Sequence, residues 1–163
     1  MANQATTAMR VSLLCIGGKM TDWVEAGVAE YRKRLPQEIQ LDIRELPLVK
    51  RGKNTDIRRA IAQEGEAMLA AIPRGDKIIA LDVKGRAVST ESLSKSLASW
   101  RMEGDNVSIL VGGPDGLAAP CLAASSEKWS MSAMTLPHPL VRVMFAEQLY
   151  RAWTILANHP YHR

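Results

Sequence analysis

Most of the residues by which an activity is usually recognised are scarce or missing here. Two cysteines, Cys15 and Cys121, stand far apart in 163 residues, which excludes a disulfide framework and a cysteine-based zinc site. Histidine occurs three times, at positions 138, 159 and 162. His159 and His162 have no neighbouring cysteine or carboxylate and a proline between them, so no metal is expected. There is no G-x-S-x-G elbow, no cysteine in a nucleophile context and no carboxylate couple, hence no hydrolytic set. The one glycine-rich turn, Gly112–Gly116 (GGPDG), lacks a following Lys-Ser/Thr and the G-x-G-x-x-G spacing, so it is neither a P-loop nor a Rossmann fingerprint. No apolar run approaches the ~20 residues that span a bilayer. Val11–Ile16 is too short for a signal peptide and no small-residue cleavage site follows it, so a cytoplasmic protein with no membrane partner is expected.

What remains is an ordinary globular composition, 47% hydrophobic and 23% charged, at the length of one domain. The formal net charge is +4. All of that excess falls in residues 1–60, in Arg32-Lys33-Arg34, Lys50-Arg51-Lys53 and Arg58-Arg59, while residues 61–163 are balanced. Clustered cations are the footprint of a polyanion. The first cluster is equally well read as the last turn of a helix, where cations suit the dipole. The cluster at Lys50-Arg51-Lys53 has no helix end to explain it.

Hydrophobic periodicity switches repeatedly between two and 3.6 residues. Arg10–Ile16 reads as a buried strand closed by Gly17-Gly18. A helix capped by Thr21 or Asp22 runs to about Leu35, where Pro36 stops it. Ile39, Leu41 and Ile43 alternate with Gln40, Asp42 and Arg44, the pattern of a half-exposed strand. Asn54 or Thr55 opens a second helix, Lys77–Val83 is a strand apolar on both faces, and Ser89 or Thr90 caps a third helix. Val107–Val111 is a fourth strand; a short helix near 118–126, a strand near 129–134 and a closing helix from about Leu140 to Asn158 follow. Strand–helix alternation with apolar strands predicts an α/β fold, a mostly parallel sheet with helices on both faces. The closing helix is apolar most of the way round, so it either threads the core or packs on a second subunit; a homodimer is expected.

In such sheets ligands bind beyond the carboxyl ends of strands. Three segments fall there: Asp82–Arg86, Gly112–Gly116 and Ser132–Pro139. Gly112 and Gly113 allow backbone to approach a ligand and to take positive φ. His138, between two prolines at the start of the last helix, faces a dipole that disfavours its protonation. The tail, His159 to Arg163, is dense in polar and stacking groups.

KMTDWVEAGVAEYRKRLP, KRGKN, SILVGGPDGL, SMSAMTLPHPLVRV and EQLYRAWTILANHPYHR together closely resemble the SPOUT-type methyltransferases that modify N3 of a pseudouridine in bacterial large-subunit (23S) ribosomal RNA. The resemblance covers about residues 9–163, taken as one domain, and leaves residues 1–8 as a flexible extension. It implies a C-terminal trefoil knot, an obligate homodimer and S-adenosylmethionine held by Leu81, Asp82, Gly112, Gly113, Met131, Ser132, Ala133, Met134, Thr135 and Leu136. His138, or Tyr161 or His162 from the partner, would handle the N3 proton, and Arg142 and Arg163 would hold phosphate or the uracil anion. Lys50, Arg51, Lys53 and Arg58 would meet RNA on the assembled ribosome. The rival readings are a ribosome-binding factor of the same fold without catalysis and a flavodoxin-like small-molecule binder.

Overall fold

The computed structural model describes residues 8–163; the extension expected at residues 1–8 lies almost wholly outside them. Five strands, β1 (Met9–Ile16), β2 (Ile39–Leu46), β3 (Lys77–Ala87), β4 (Val107–Val111) and β5 (Glu127–Ser130), form one sheet in the order β2-β1-β4-β3-β5. Every pairing is parallel. Helices α1 (Asp22–Arg32), α2 (Ile57–Ala71), α3 (Thr90–Glu103) and α4 (Ala119–Ala124) connect them in turn, and α5 (His138–Leu156) follows the last strand. The α/β expectation therefore holds.

Two cores flank the sheet because strand side chains alternate between faces. Val11, Leu13, Cys15, Ile79, Val107 and Ile109 meet Val24 and Val28 of α1, Leu93, Leu97 and Trp100 of α3, and Phe145, Ala146 and Leu149 of α5. On the other face Leu14, Ile16 and Leu110 meet Met68 of α2 and Cys121 of α4. Trp129 of the edge strand β5 stacks on Trp100, ring centroids 5.8 Å apart, which ties the edge strand to α3. In β2, the other edge, the alternation read from the sequence is visible as Ile39 and Leu41 buried against Gln40 and Asp42 exposed.

Several boundaries move for local reasons. The second helix is capped by Asp56, whose carboxylate accepts from the Arg59 amide, and not by Asn54 or Thr55. Ser89 does cap α3, in a reciprocal capping box with Ser92. β5 ends at Ser130, leaving 131–137 as the loop into α5, which begins at His138 and ends at Leu156. The segment 82–86, expected as a loop, continues β3; its pairing with β5 slips between Leu81 and Arg86. Within that irregularity a Cβ on Gly85 would lie 2.7 Å from the Lys128 carbonyl carbon and oxygen, so only glycine lets the two strands close there.

The apolar closing helix threads the core of its own chain. α5 lies between α1 and α3 with Phe145, Ala146, Leu149, Tyr150 and Ala152 all buried. Gly27 leaves room for Val143 where α1 and α5 cross, and Ser94 of α3 donates to the Ala152 carbonyl at 3.0 Å. Most of the apolar surface that suggested a second subunit is thus covered within one protomer.

Candidate active site

The carboxyl ends of β3, β4 and β5 converge on a cavity of 600 Å³, within the ~300–1,000 Å³ range of small-molecule sites. Leu81 and Asp82 line it from β3, Gly112 to Gly116 from the turn after β4, Trp129 to Met131, Met134 and Leu136 from β5 and its loop, and His138 and Val141 from α5. Of the residues expected to hold a cofactor, Ser132, Ala133 and Thr135 lie in the same loop without lining the cavity. Ser132 Oγ instead accepts from the Met134 amide at 2.9 Å and shapes the loop.

The glycines act differently from the sequence expectation. Positive φ belongs to Gly116, at 85°, and not to Gly112 or Gly113. Gly112 is required by crowding: a Cβ there would sit 2.5 Å from the Gly116 carbonyl carbon. A Gly113–Gly116 bridge and the Gly116 amide bonded to the Gly113 carbonyl at 3.1 Å close the turn.

His138 and Arg142 form a unit. Arg142 is only 2% exposed, and its Nε donates to His138 Nε2 at 3.0 Å. One terminal nitrogen donates to Glu45 Oε2 at 2.8 Å; the other reaches the Gly17 and Gly18 carbonyls at 3.5 and 3.3 Å. A guanidinium has no acceptor, so His138 Nε2 must be unprotonated and the proton sits on Nδ1, which faces the Gly112 carbonyl at 3.4 Å. Burial, then the Arg142 charge, holds the His138 pKa below its usual value. Arg142 is therefore enclosed in its own protomer and shows no open guanidinium for a phosphate. Glu45, which completes this unit, is not among the site residues expected from the sequence; its position at the carboxyl end of β2 is the available signal.

The tail lies elsewhere. Pro160–His162 forms a 3-10 turn beyond the far end of α5, and the tail folds back along the helix as far as Glu147, nine residues and about 13 Å of helix from His138. Tyr161 packs on Tyr150 with ring centroids 4.7 Å apart and donates to Glu147 Oε1 at 3.2 Å. Burial, then the Glu147 carboxylate, push Tyr161 up to about 12. The i, i+4 pair Glu147–Arg151 forms at 2.7 Å, and Arg34 and Arg151 lie over the Tyr161 ring. His162 Nδ1 is buried with no hydrogen-bond partner, and Arg163 is exposed. One protomer does not bring His138 and the tail together.

The basic loop also divides. Lys50, Lys53 and Arg58 are exposed. Arg51 is not offered to solvent in the same way: it pairs with the buried Glu64, donates to the Val49 carbonyl at 2.7 Å and reaches Asp115 Oδ2 at 3.1 Å. These bonds, Glu64 first, raise its pKa further. Among the described residues no His/Cys/Asp/Glu cluster could hold a metal, and no helix is long and apolar enough to cross a membrane.

The state of His138 is directly measurable. Its folded-state pKa is lowered, so the unfolded chain binds a proton first as pH falls. Its contribution to stability is then complete above about 6.5 and declines below it. Imidazole nitrogen shifts should report a neutral Nδ1–H ring through pH 6.5, with a midpoint below that value. A midpoint at or above 6.5 would be incompatible with the Arg142–His138 bond.

Comparison with known proteins bears on the same residues. A family model described as "Predicted SPOUT methyltransferase" matches residues 9–162. A Marinomonas sp. (strain MWYL1) protein named "Ribosomal RNA large subunit methyltransferase H" is 56% identical over 155 residues, covering 95% of this chain and 100% of the relative. A protein of the same name from Saccharophagus degradans is 57% identical over the same shares. Two solved structures share the fold. A "probable methylase family protein from Haemophilus influenzae Rd KW20" has a TM-score of 0.54 at 8% identity, covering 97% of this chain and 71% of its own. A "Probable Methyltransferase from Bordetella pertussis Tohama I" has a TM-score of 0.54 at 14% identity, covering 91% and 98%. The chain whose cavity, turn and α5 are described above belongs to the SPOUT methyltransferases and, within them, to the ribosomal RNA large subunit methyltransferase H family.

Proposed function

We propose that this chain methylates large-subunit ribosomal RNA at N3 of a pseudouridine, using S-adenosylmethionine and acting on the assembled ribosome as a cytoplasmic homodimer. The observation that carries the reading is the 600 Å³ cavity at the carboxyl ends of β3–β5, in a chain whose relatives are named for that RNA. The lining suits the cofactor: apolar Leu81, Met131, Leu136 and Val141 flank bare glycine backbone at Gly112 and Gly113. Leu81, Asp82, Gly112, Gly113, Met131, Met134 and Leu136 would hold it, with Ser132, Ala133 and Thr135 fixing the loop. When bound, S-adenosylmethionine supplies an electrophilic methyl group on a sulfonium.

The protein's task is then to bind the uracil ring, exclude water and take the N3 proton. His138 is a poor acceptor, since Nε2 is occupied by Arg142 and Nδ1 carries the proton. Its role is to fasten the Gly112 turn to α5. Tyr161, pushed up to about 12, stays protonated and orients the tail. His162 is the proposed proton acceptor, through Nε2, because its Nδ1 is buried in its own protomer, and Arg163 the partner for phosphate or the uracil anion. The tail reaches the cavity only across a two-fold interface, where Val83 and Met134, 74% and 76% exposed at the cavity mouth, would be covered. Lys50, Lys53 and Arg58 contact RNA phosphates.

Labelled methyl from S-adenosylmethionine should enter large-subunit RNA of ribosomes that lack the modification, and enter stripped RNA weakly. No transfer to either, with ribosome binding intact, would leave a binding factor.

In the same assay His162→Gln should lose roughly a hundredfold or more in turnover, as for a missing general base, with cofactor affinity by calorimetry unchanged. Tyr161→Phe should stay within a few fold. A fall in cofactor affinity for His162→Gln would place that residue in the cofactor cavity instead.

Mixing a chain lacking Tyr161–Arg163 with a Gly112→Val chain, each inactive alone, should restore about a quarter of wild-type activity, because half the dimers then carry one intact site. No recovery, with mixed dimers verified by mass, would put tail and cavity in the same protomer.

A further inference from the structure

The basic loop contains one cation whose contacts point inward. Arg51 spans three segments: its own loop, through the Val49 carbonyl at 2.7 Å; α2, through the buried Glu64; and the cavity-lining turn, through Asp115 Oδ2 at 3.1 Å. Glu64 is 3% exposed and also accepts from the Val49 amide at 3.1 Å, so its carboxylate receives this loop through both backbone and side chain. The packing agrees. A Cβ on Gly113 would meet Ile16 Cγ2 at 3.1 Å, and Glu64 Oε1 and Leu48 Cδ1 at 3.5 Å. A Cβ on Gly65 would lie 2.5 Å from that of Ala118. The Glu64-Gly65 step of α2 is therefore the seat on which the segment 113–118 rests, and Arg51 bolts the basic loop to both.

Resting on the proposed function, we propose that Arg51 is a positioning residue for the methyl-donor cavity, holding the Gly112–Gly116 turn through Asp115, and that it is not one of the RNA-contacting cations. The loop then has two functions on adjacent residues. Lys50 and Lys53, both exposed, meet the polyanion. Arg51 turns the other way and sets the backbone that lines the cavity. A lysine could not replace it, because the three bonds require a planar fork with donors in fixed directions.

The test compares Asp115→Asn, Arg51→Lys and Lys53→Ala in the full chain. Asp115→Asn leaves the Arg51–Glu64 pair intact, so it remains informative if Arg51 variants fold poorly. Hydrogen exchange of backbone amides 112–117 in the protein without ligand should accelerate in Asp115→Asn and Arg51→Lys and stay unchanged in Lys53→Ala. S-adenosylmethionine affinity should fall about tenfold in the first two, the size of one charge-assisted hydrogen bond. The salt dependence of ribosome binding should keep its slope in Asp115→Asn and Arg51→Lys, and lose about 0.7–0.9 in Lys53→Ala. Unchanged exchange in the turn would overturn the proposal, as would unchanged cofactor affinity in protein whose wild type binds it. So would loss of the salt slope in Arg51→Lys with the turn undisturbed. Failure of the wild type to bind S-adenosylmethionine would instead refute the methyltransferase reading, and the exchange data would still decide the bridge.

Discussion

A guanidinium buried to the extent of Arg142 must have its donors satisfied, and the site is organised around that requirement. Taking a charge out of water costs several kcal/mol unless carboxylate and carbonyl partners replace the solvent. Glu45 at the end of β2, the Gly17 and Gly18 carbonyls after β1, and His138 at the start of α5 supply them. Through His138 the network extends to the Gly112 carbonyl after β4. The carboxyl ends of three strands and the first turn of the closing helix are thus tied to one cation. The proton on His138 is fixed by the same bond, since a donor on each side would leave two positive charges facing each other. The position of the Gly112 turn and the charge state of the histidine are consequences of a single burial.

The sheet and its helices were legible because they are built from repeating signals. Apolar runs of five to eight residues separated by amphipathic stretches permit few other arrangements, and the bounded segments at Gly17-Gly18, Pro36 and Ser89 fell close to where the chain turns. The segment at 82–86 was misread because Gly85 and charged neighbours look like a loop, whereas a slipped parallel pairing with β5 tolerates them. The closing helix was read correctly as having too much apolar surface for one stripe. Which neighbour covers that surface is decided by α1 and α3 together, and helical periodicity in α5 alone carries no information about them.

The site was partly legible for a different reason. Glycine, proline and histidine mark backbone constraints and titratable groups locally, so Gly112, Gly113 and His138 stand out in a single sequence. Glu45 and Glu64 do not. Each is one charge in an ordinary amphipathic pattern, and each gains its meaning from a partner 97 or 13 residues away. Arg51 was grouped with its basic neighbours because charge counting has no direction. Its pairing with the buried Glu64 separates it from Lys50 and Lys53, and only the fold supplies that distinction.

The length of α5 sets the remaining constraint. A 19-residue helix starts at the cavity with His138 and ends at the turn that carries the tail, which folds back along it as far as Tyr150 and Glu147. The tail is held in a defined shape: Tyr161 is clamped by Tyr150, Glu147, Arg34 and Arg151. Ordering three terminal residues costs conformational entropy, which such contacts offset. The same contacts determine where His162 and Arg163 project. In the proposed homodimer a two-fold axis would deliver each tail to the opposite cavity at once. On that reading the cation–aromatic cluster is part of the active site's construction, although no residue in it lines the cavity.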